Sequence, residues 1–245
     1  MSKNFELLQR VARGDIFNLP CVPTLPPQET PGALPLRNGP PDTEITKLVQ
    51  RLFFQGGKGN GPSVVSFSGV ARDDRSGWIC ARAGEALAAQ VDTPVCIVEA
   101  NLRSPQLHLH VNTGNQIGLA KALSTTFPIQ SFATQPCGEN LCLIPSGLVK
   151  PGLYTSMERS RKCFAELRQV FKYILISAPA LTREIEATFV GQLADGIVLI
   201  VEANRNRRET VRRAKERLES AQVQMLGAVL DQRTFPIPEK IYRRL

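Results

Sequence analysis

From residue 64 onward, short apolar runs alternate with longer stretches of helical periodicity, and this alternation limits the fold more than any other feature. The runs 64–67, 95–98, 173–176, 196–201 and 225–230 are rich in Val, Ile and Leu and have the length of buried strands. Apolar spacing predicts helices over 77–90, 157–171, 183–192 and 207–222, and a shorter one near 117–123. Further short strands are expected at 129–132 and 141–144. Such an order implies an α/β fold of three layers, a mostly parallel sheet with helices on both faces. Ligands of such sheets bind beyond the carboxyl ends of the strands. Three strand ends carry polar groups to that edge: Ser68-Gly69-Val70-Ala71-Arg72-Asp73-Asp74-Arg75-Ser76-Gly77-Trp78, Glu99-Ala100-Asn101-Leu102-Arg103 and Ser177-Ala178-Pro179.

Composition narrows the class without choosing a function. A chain of 245 residues, 42% hydrophobic and 21% charged, suits one globular α/β domain with tails. The net charge of +8 suits an acidic partner: nucleic acid, anionic lipid or an acidic protein. Specific nucleic-acid recognition is not expected, since no recognition motif is present and stacking capacity is low. No apolar run reaches the length of a membrane span, and the N-terminus lacks a secretory pattern. Six cysteines without a CxxC pair fit buried thiols in a reducing cytoplasm. His108 and His110 would share one face of a strand, but further metal ligands at suitable spacing are missing.

Residues 1–42 hold eight prolines and are expected to be a largely disordered tail. Phe5, Leu8, Val11 and Ala12 recur at helical spacing there, as a short helix that folds back on the domain or docks on a partner. The domain is expected over 43–234, followed by a tail at 235–245. Asp42 or Thr43 could cap a helix over 44–54, with Ile45, Leu48, Val49 and Leu52 on one side. The glycine-rich run 56–61 has the composition of a phosphate loop. It follows a helix and precedes a strand, the reverse of what a phosphate loop needs, so a hinge is expected.

The order and content of these segments resemble the bacterial tyrosine kinase (BY-kinase) family, capsular and exopolysaccharide P-loop proteins related to partition and septum-site ATPases. The resemblance spans residues 43–245. It is carried by Ile97-Val98-Glu99-Ala100-Asn101-Leu102-Arg103-Ser104-Pro105, by Ala194-Asp195-Gly196-Ile197-Val198-Leu199-Ile200-Val201, by Leu226-Gly227-Ala228-Val229-Leu230 and by the ending Phe235-Pro236-Ile237-Pro238-Glu239-Lys240-Ile241-Tyr242-Arg243-Arg244-Leu245. It implies a P-loop NTPase fold of the partition-ATPase kind, and work beside a membrane chain-length regulator in capsular or exopolysaccharide export.

The motif positions depart from that family. A phosphate loop needs glycines for backbone approach, a lysine for the β/γ-phosphates and a hydroxyl for Mg²⁺. Spaced as G-x4-G-K-S, the segment puts Gly69 first, Asp74 at the second glycine, Arg75 at the lysine and Ser76 at the hydroxyl. Aligned on Trp78 instead, Ser76 replaces the lysine and Gly77 the hydroxyl residue; neither register has a lysine. Asp73 and Asp74 would repel a polyphosphate, each by about 4 kcal/mol at 4 Å and an effective dielectric near 20. Arg72 and Arg75 could offset this charge or simply pair with the two aspartates. The family's D-x-D-x-R reads Glu99-Ala100-Asn101-Leu102-Arg103 here, and its D-x-x-P has Ser177 in the carboxylate's place. General-base chemistry and Mg²⁺ affinity should both fall.

The leading expectation is therefore a degenerate, catalytically impaired family member: a cytoplasmic scaffold or regulator, peripheral at the membrane, with no cofactor. Glu99, Asn101 and Ser177 would be vestiges of the catalytic set. A retained site would instead use Gly69, Arg72, Arg75, Ser76, Gly77, Arg103 and Asp231 for ATP, and Ser76 and Glu99 for Mg²⁺, in an active autokinase or ATPase. Only Tyr242 of the three tyrosines lies in the tail, as a candidate phosphoacceptor or as packing with Ile241 and Leu245. A third reading is a basic adaptor for membrane or polyanion. The helix 207–222 has Val211, Ala214, Leu218 and Ala221 as its buried stripe and is made basic by Arg207, Arg208, Arg212, Arg213, Lys215 and Arg217, either solvated with local Glu partners or facing an acidic partner. The family's subunit-contact helix, E-x2-R-x2-R, is only partly matched by Glu44, Lys47 and Arg51, with Gln50 in the last place; a homo-oligomer is possible on that basis. A dinucleotide-binding dehydrogenase is not expected, because no G-x-G-x-x-G follows the first strand.

Overall fold

The computed structural model describes residues 43–54, 61–71, 75–135, 140–149 and 156–232. The N-terminal tail, the glycines at 56–59, Arg72, Asp73, Asp74, Cys21, Cys137, Tyr154, Tyr242 and the C-terminal tail lie outside them.

Six strands form one parallel sheet: β1 (Val64–Gly69), β2 (Val95–Glu99), β3 (Leu141–Ile144), β4 (Tyr173–Ser177), β5 (Gly196–Glu202) and β6 (Met225–Asp231). Their spatial order is β3-β2-β4-β1-β5-β6. Strands flanked on both sides by helices must be apolar on both faces, and all six residues of β1 and all five of β2 are buried. Alternate residues feed opposite cores. Val65, Phe67, Val95, Ile97 and Leu175 pack beneath α1 (Thr43–Phe53) and α2 (Ser76–Ala88). Val64, Cys96, Val98, Ile174 and Ile176 pack against α5 (Met157–Val170) and α6 (Ile185–Leu193). Ile197 and Leu199 meet Ala214 and Leu218 of α7 (Arg208–Ser220). Each fully buried Ile or Leu contributes about 1.5–3 kcal/mol, so the central triplet Ile174-Leu175-Ile176 alone carries a substantial share of the core.

Local signals explain the helices. In α1, Ile45, Val49 and Phe53 recur every fourth residue and are buried. The Phe53 ring stands edge-on to Tyr173, 5.5 Å between centroids. Ser156 caps α5, its hydroxyl accepting the Arg159 N–H. On α7, Arg212, Arg213 and Lys215 pair with Glu216, Glu209 and Glu219, the solvated helix of local pairs. Ala214 and Leu218 are its buried positions.

Two sequence expectations fail. Residues Ile129–Phe132 form a 3-10 turn, not a strand. Pro128 starts it, and the neighbouring edge of β3 receives only an isolated antiparallel bridge from Thr134 to Leu143. His108 and His110 lie in α3, a single helical turn (Leu107–His110), so they do not share a strand face. The last short helix, α4 (Leu119–Ser124), begins at Gly118, where a Cβ would meet the Pro145 carbonyl oxygen at 1.9 Å. Its partner Gly147 has φ of +73°, in the left-handed region that glycine tolerates.

Candidate functional site at the carboxyl edge of the sheet

A parallel sheet sends all its strand ends to one edge, so Gly69, Glu99, Ser177, Glu202 and Asp231 arrive side by side. The end of β1 is sewn to the loop after β4. The Ser68 hydroxyl donates to the Pro179 carbonyl at 2.6 Å, the Leu181 N–H donates to Gly69 O at 2.9 Å, and the Thr182 hydroxyl donates to Val70 O at 2.7 Å. The Val70 N–H is also committed, to Ile200 O at 3.1 Å.

Arg75 is the residue immediately before α2. Its guanidinium turns to the far strand. Nε donates to Asp231 Oδ2 at 2.7 Å and a terminal nitrogen to Asp231 Oδ1 at 3.3 Å, with both side chains half-buried or deeper. The same guanidinium lies 4.2 Å over the Trp78 ring. Arg75 and Asp231, both candidate nucleotide ligands, are thus each other's partner across 156 positions of sequence. Asp73 and Asp74, the other partners expected for Arg75, lie outside the described residues.

Ser76 and Gly77 open α2 and are buried. A Cβ on Gly77 would lie 3.6 Å from Ser177 Oγ, 3.7 Å from His110 Cδ2 and 3.8 Å from the Leu107 nitrogen. The start of α2 therefore faces Ser177 and His110.

Glu99 points inward. One of its oxygens accepts the N–H groups of Gln106 at 2.9 Å and Leu107 at 2.5 Å; the other accepts the Asn101 N–H at 3.3 Å. The Ser177 hydroxyl donates to the same carboxyl. Burial pushes its pKa from 4.5 up to about 7, against the lowering effect of the Leu107, Gln106, Ser177 and Asn101 donors. Asn101 is buried as well, and its side-chain oxygen accepts the Ser104 N–H at 3.1 Å. Arg103 leaves this cluster for the surface, where it bridges Glu184 at 3.1 Å and Glu186 at 3.0 Å.

The edge also contains a residue not nominated for it from sequence, His110. Neither ring nitrogen has a hydrogen-bond partner among the described residues. Burial, then the charges of Arg75 and His108, push its pKa down to about 4. Its place on α3 depends on Glu99 holding the preceding loop, which no local pattern reveals. Among the described residues no group of three His, Cys, Asp or Glu side chains could hold a metal ion, and no helix is long and apolar enough to cross a membrane. On α1, Lys47 pairs with Glu44 at 2.7 Å.

No family model matches the chain. Tyrosine-protein kinase CpsD of Streptococcus agalactiae is 26% identical over 146 residues, 58% of this chain and 64% of that protein. Tyrosine-protein kinase YwqD of Bacillus subtilis is 23% identical over 145 residues, 58% and 61%. The chain thus matches less than two thirds of the length of these curated relatives. Among solved structures, the chimerical protein CapA2B2 superposes with a TM-score of 0.73 at 19% identity, covering 92% of this chain and 100% of that one. The MinD cell division protein of Aquifex aeolicus does so with a TM-score of 0.59 at 18% identity, covering 74% and 72%. The sheet and its helices have the α/β fold of these P-loop NTPase structures, and in sequence the chain is similar to the BY-kinases CpsD and YwqD.

Proposed function

We propose that this protein is a BY-kinase-like component of capsular or exopolysaccharide biosynthesis that has given up nucleotide chemistry and acts as a scaffold or regulator. Its partner is a membrane chain-length regulator or a related kinase subunit, and its place is at the cytoplasmic side of that assembly. Kinship with tyrosine kinases supports the pathway. One observation carries the loss of chemistry: Arg75, at the lysine position in the G-x4-G-K-S register, is bound in a two-point contact to Asp231 and stacked on Trp78. Freeing it for a phosphate would break charge-assisted hydrogen bonds that contribute about 1.5–3 kcal/mol.

The metal side of the site agrees. Mg²⁺ needs accessible, ionised oxygens. Glu99 is 1% exposed, and its oxygens already accept three backbone N–H groups and a hydroxyl. Asn101 and Ser177 carry no charge. Glu99, Asn101 and Ser177 are consumed in holding the loop at 100–110 against the sheet, so this donor set does not fit Mg²⁺–ATP.

Incubation of the purified full chain with Mg²⁺ and ATP tests this reading. It expects no released ADP and no phosphate on Tyr242. ATP turnover that disappears in Arg75→Ala or Ser76→Ala would overturn it.

A further inference from the structure

The loops at the carboxyl edge combine two features that the proposed scaffold role does not use: solvent-exposed aliphatic side chains and cations without partners. Leu148 follows β3 and is 73% exposed; Ile117 is 59% exposed and is held beside it by the Leu148 N–H donating to Gln116 O. Ile185, the first residue of α6, is 74% exposed. Each stands where the chain leaves a strand or enters the returning helix, so all three project from the same edge.

The described carboxylates of that edge are largely neutralised. Glu184 and Glu186 pair with Arg103, Glu202 with Arg205, Asp231 with Arg75 and Glu209 with Arg213. Glu158, exposed on the first turn of α5, is the exception among the described residues. The side chains of Arg183, Arg207 and Arg208 are exposed and have no ion pair or hydrogen bond among the described residues. Arg207 and Arg208 also sit at the start of α7, where a cation opposes the helix dipole.

A groove-binding peptide would not use these features together. The cavity between β5, β6 and α7, about 520 Å³, contains Arg208 and Leu230 but none of Ile117, Leu148 or Ile185. The edge is roughly 24 Å wide for six strands, and both sets lie along it in the loops after the strands and at the starts of the returning helices. Aliphatic side chains beside arginines are what a peripheral interface with anionic lipid requires. We propose that this carboxyl edge docks on an anionic bilayer surface, with Leu148, Ile117 and Ile185 entering the headgroup layer and Arg183, Arg207 and Arg208 lying on lipid phosphates.

Co-sedimentation of the full chain with phosphatidylcholine vesicles, with and without phosphatidylglycerol, tests the proposal. Binding is expected to the anionic vesicles alone and to weaken with salt. Each removed cation should weaken it about fivefold, so Arg207→Gln with Arg208→Gln should cost about 25-fold. Leu148→Asp with Ile185→Asp should abolish sedimentation while leaving the urea midpoint unchanged. Three results would overturn the proposal: no binding to anionic vesicles, which would leave the edge to an acidic protein; full binding by the Leu148→Asp, Ile185→Asp variant, which would mean unspecific adsorption; or loss only on neutralising Arg212 and Arg213, which would move the contact to the flank of α7.

Discussion

Glu99→Gln keeps the shape of the side chain that ends β2 and removes its titration. In the wild-type protein, burial raises this carboxyl from 4.5 to about 7. The folded protein therefore holds a proton that the unfolded chain releases between those values. Stability from this group is complete below 4.5, declines as pH rises towards 7 and stays at its lower value above. At about 1.4 kcal/mol per pH unit, the loss across the window is about 3 kcal/mol. His110 acts in the opposite sense. Its pKa is depressed from 6.5 to about 4, so its contribution is present above 6.5 and is lost as pH falls towards 4. The two slopes overlap and oppose one another, and the wild-type profile alone would conceal both. Subtracting the stability of Glu99→Gln from that of wild type at each pH cancels His110. Urea unfolding below 4.5 and above 7 should show the gap moving by about 3 kcal/mol in favour of the Gln variant at the higher pH. A constant offset is expected as well, because the Gln amide can accept the Gln106 and Leu107 N–H groups but cannot accept the Asn101 N–H at its nitrogen. A gap that does not change with pH would refute the sealed, protonatable Glu99.

Other outcomes follow from single contacts. Asp231→Ala should destabilise by about 1.5–3 kcal/mol, shift Trp78 fluorescence, and show at least about 1 kcal/mol of coupling to Arg75→Met in a double-mutant cycle. Gly118→Ala should cost more than about 3 kcal/mol, because its Cβ would lie 1.9 Å from a backbone oxygen. Gly227→Ala, with nothing within 4 Å of the new carbon, should change the urea midpoint by less than about 1 kcal/mol equivalent. Cys80 and Cys96 are fully buried with thiols pushed well above their usual range, so alkylation should reach them only on unfolding.

The layered fold was legible because parallel strands covered on both sides leave continuous apolar runs, and because α5 and α7 carry clear helical stripes. The short elements were not. In 129–132 an apolar pair looks like a strand, yet the proline before it starts a 3-10 turn, and only tertiary packing decides between them. The site was half legible. Its residue types were readable one by one, and Asp231 could be nominated from its place after the last strand. That Arg75 reaches Asp231 could not be read, since the contact depends on β5 and β6 standing beside β1. Glu99 read as a vestige of the catalytic set at a strand end. Its real partners are backbone N–H groups seven and eight residues onward, in a loop without periodicity. His110 was weighed only as a metal ligand for the same reason.

Calorimetric titration of the purified full chain with ATP and with ADP, each with and without Mg²⁺, addresses the central claim most directly. The internal pairing of Arg75 with Asp231 and the sealing of Glu99 predict no binding heat even at millimolar nucleotide. Micromolar, Mg²⁺-dependent binding that weakens in Arg75→Ala would contradict the account and return the chain to the active kinases.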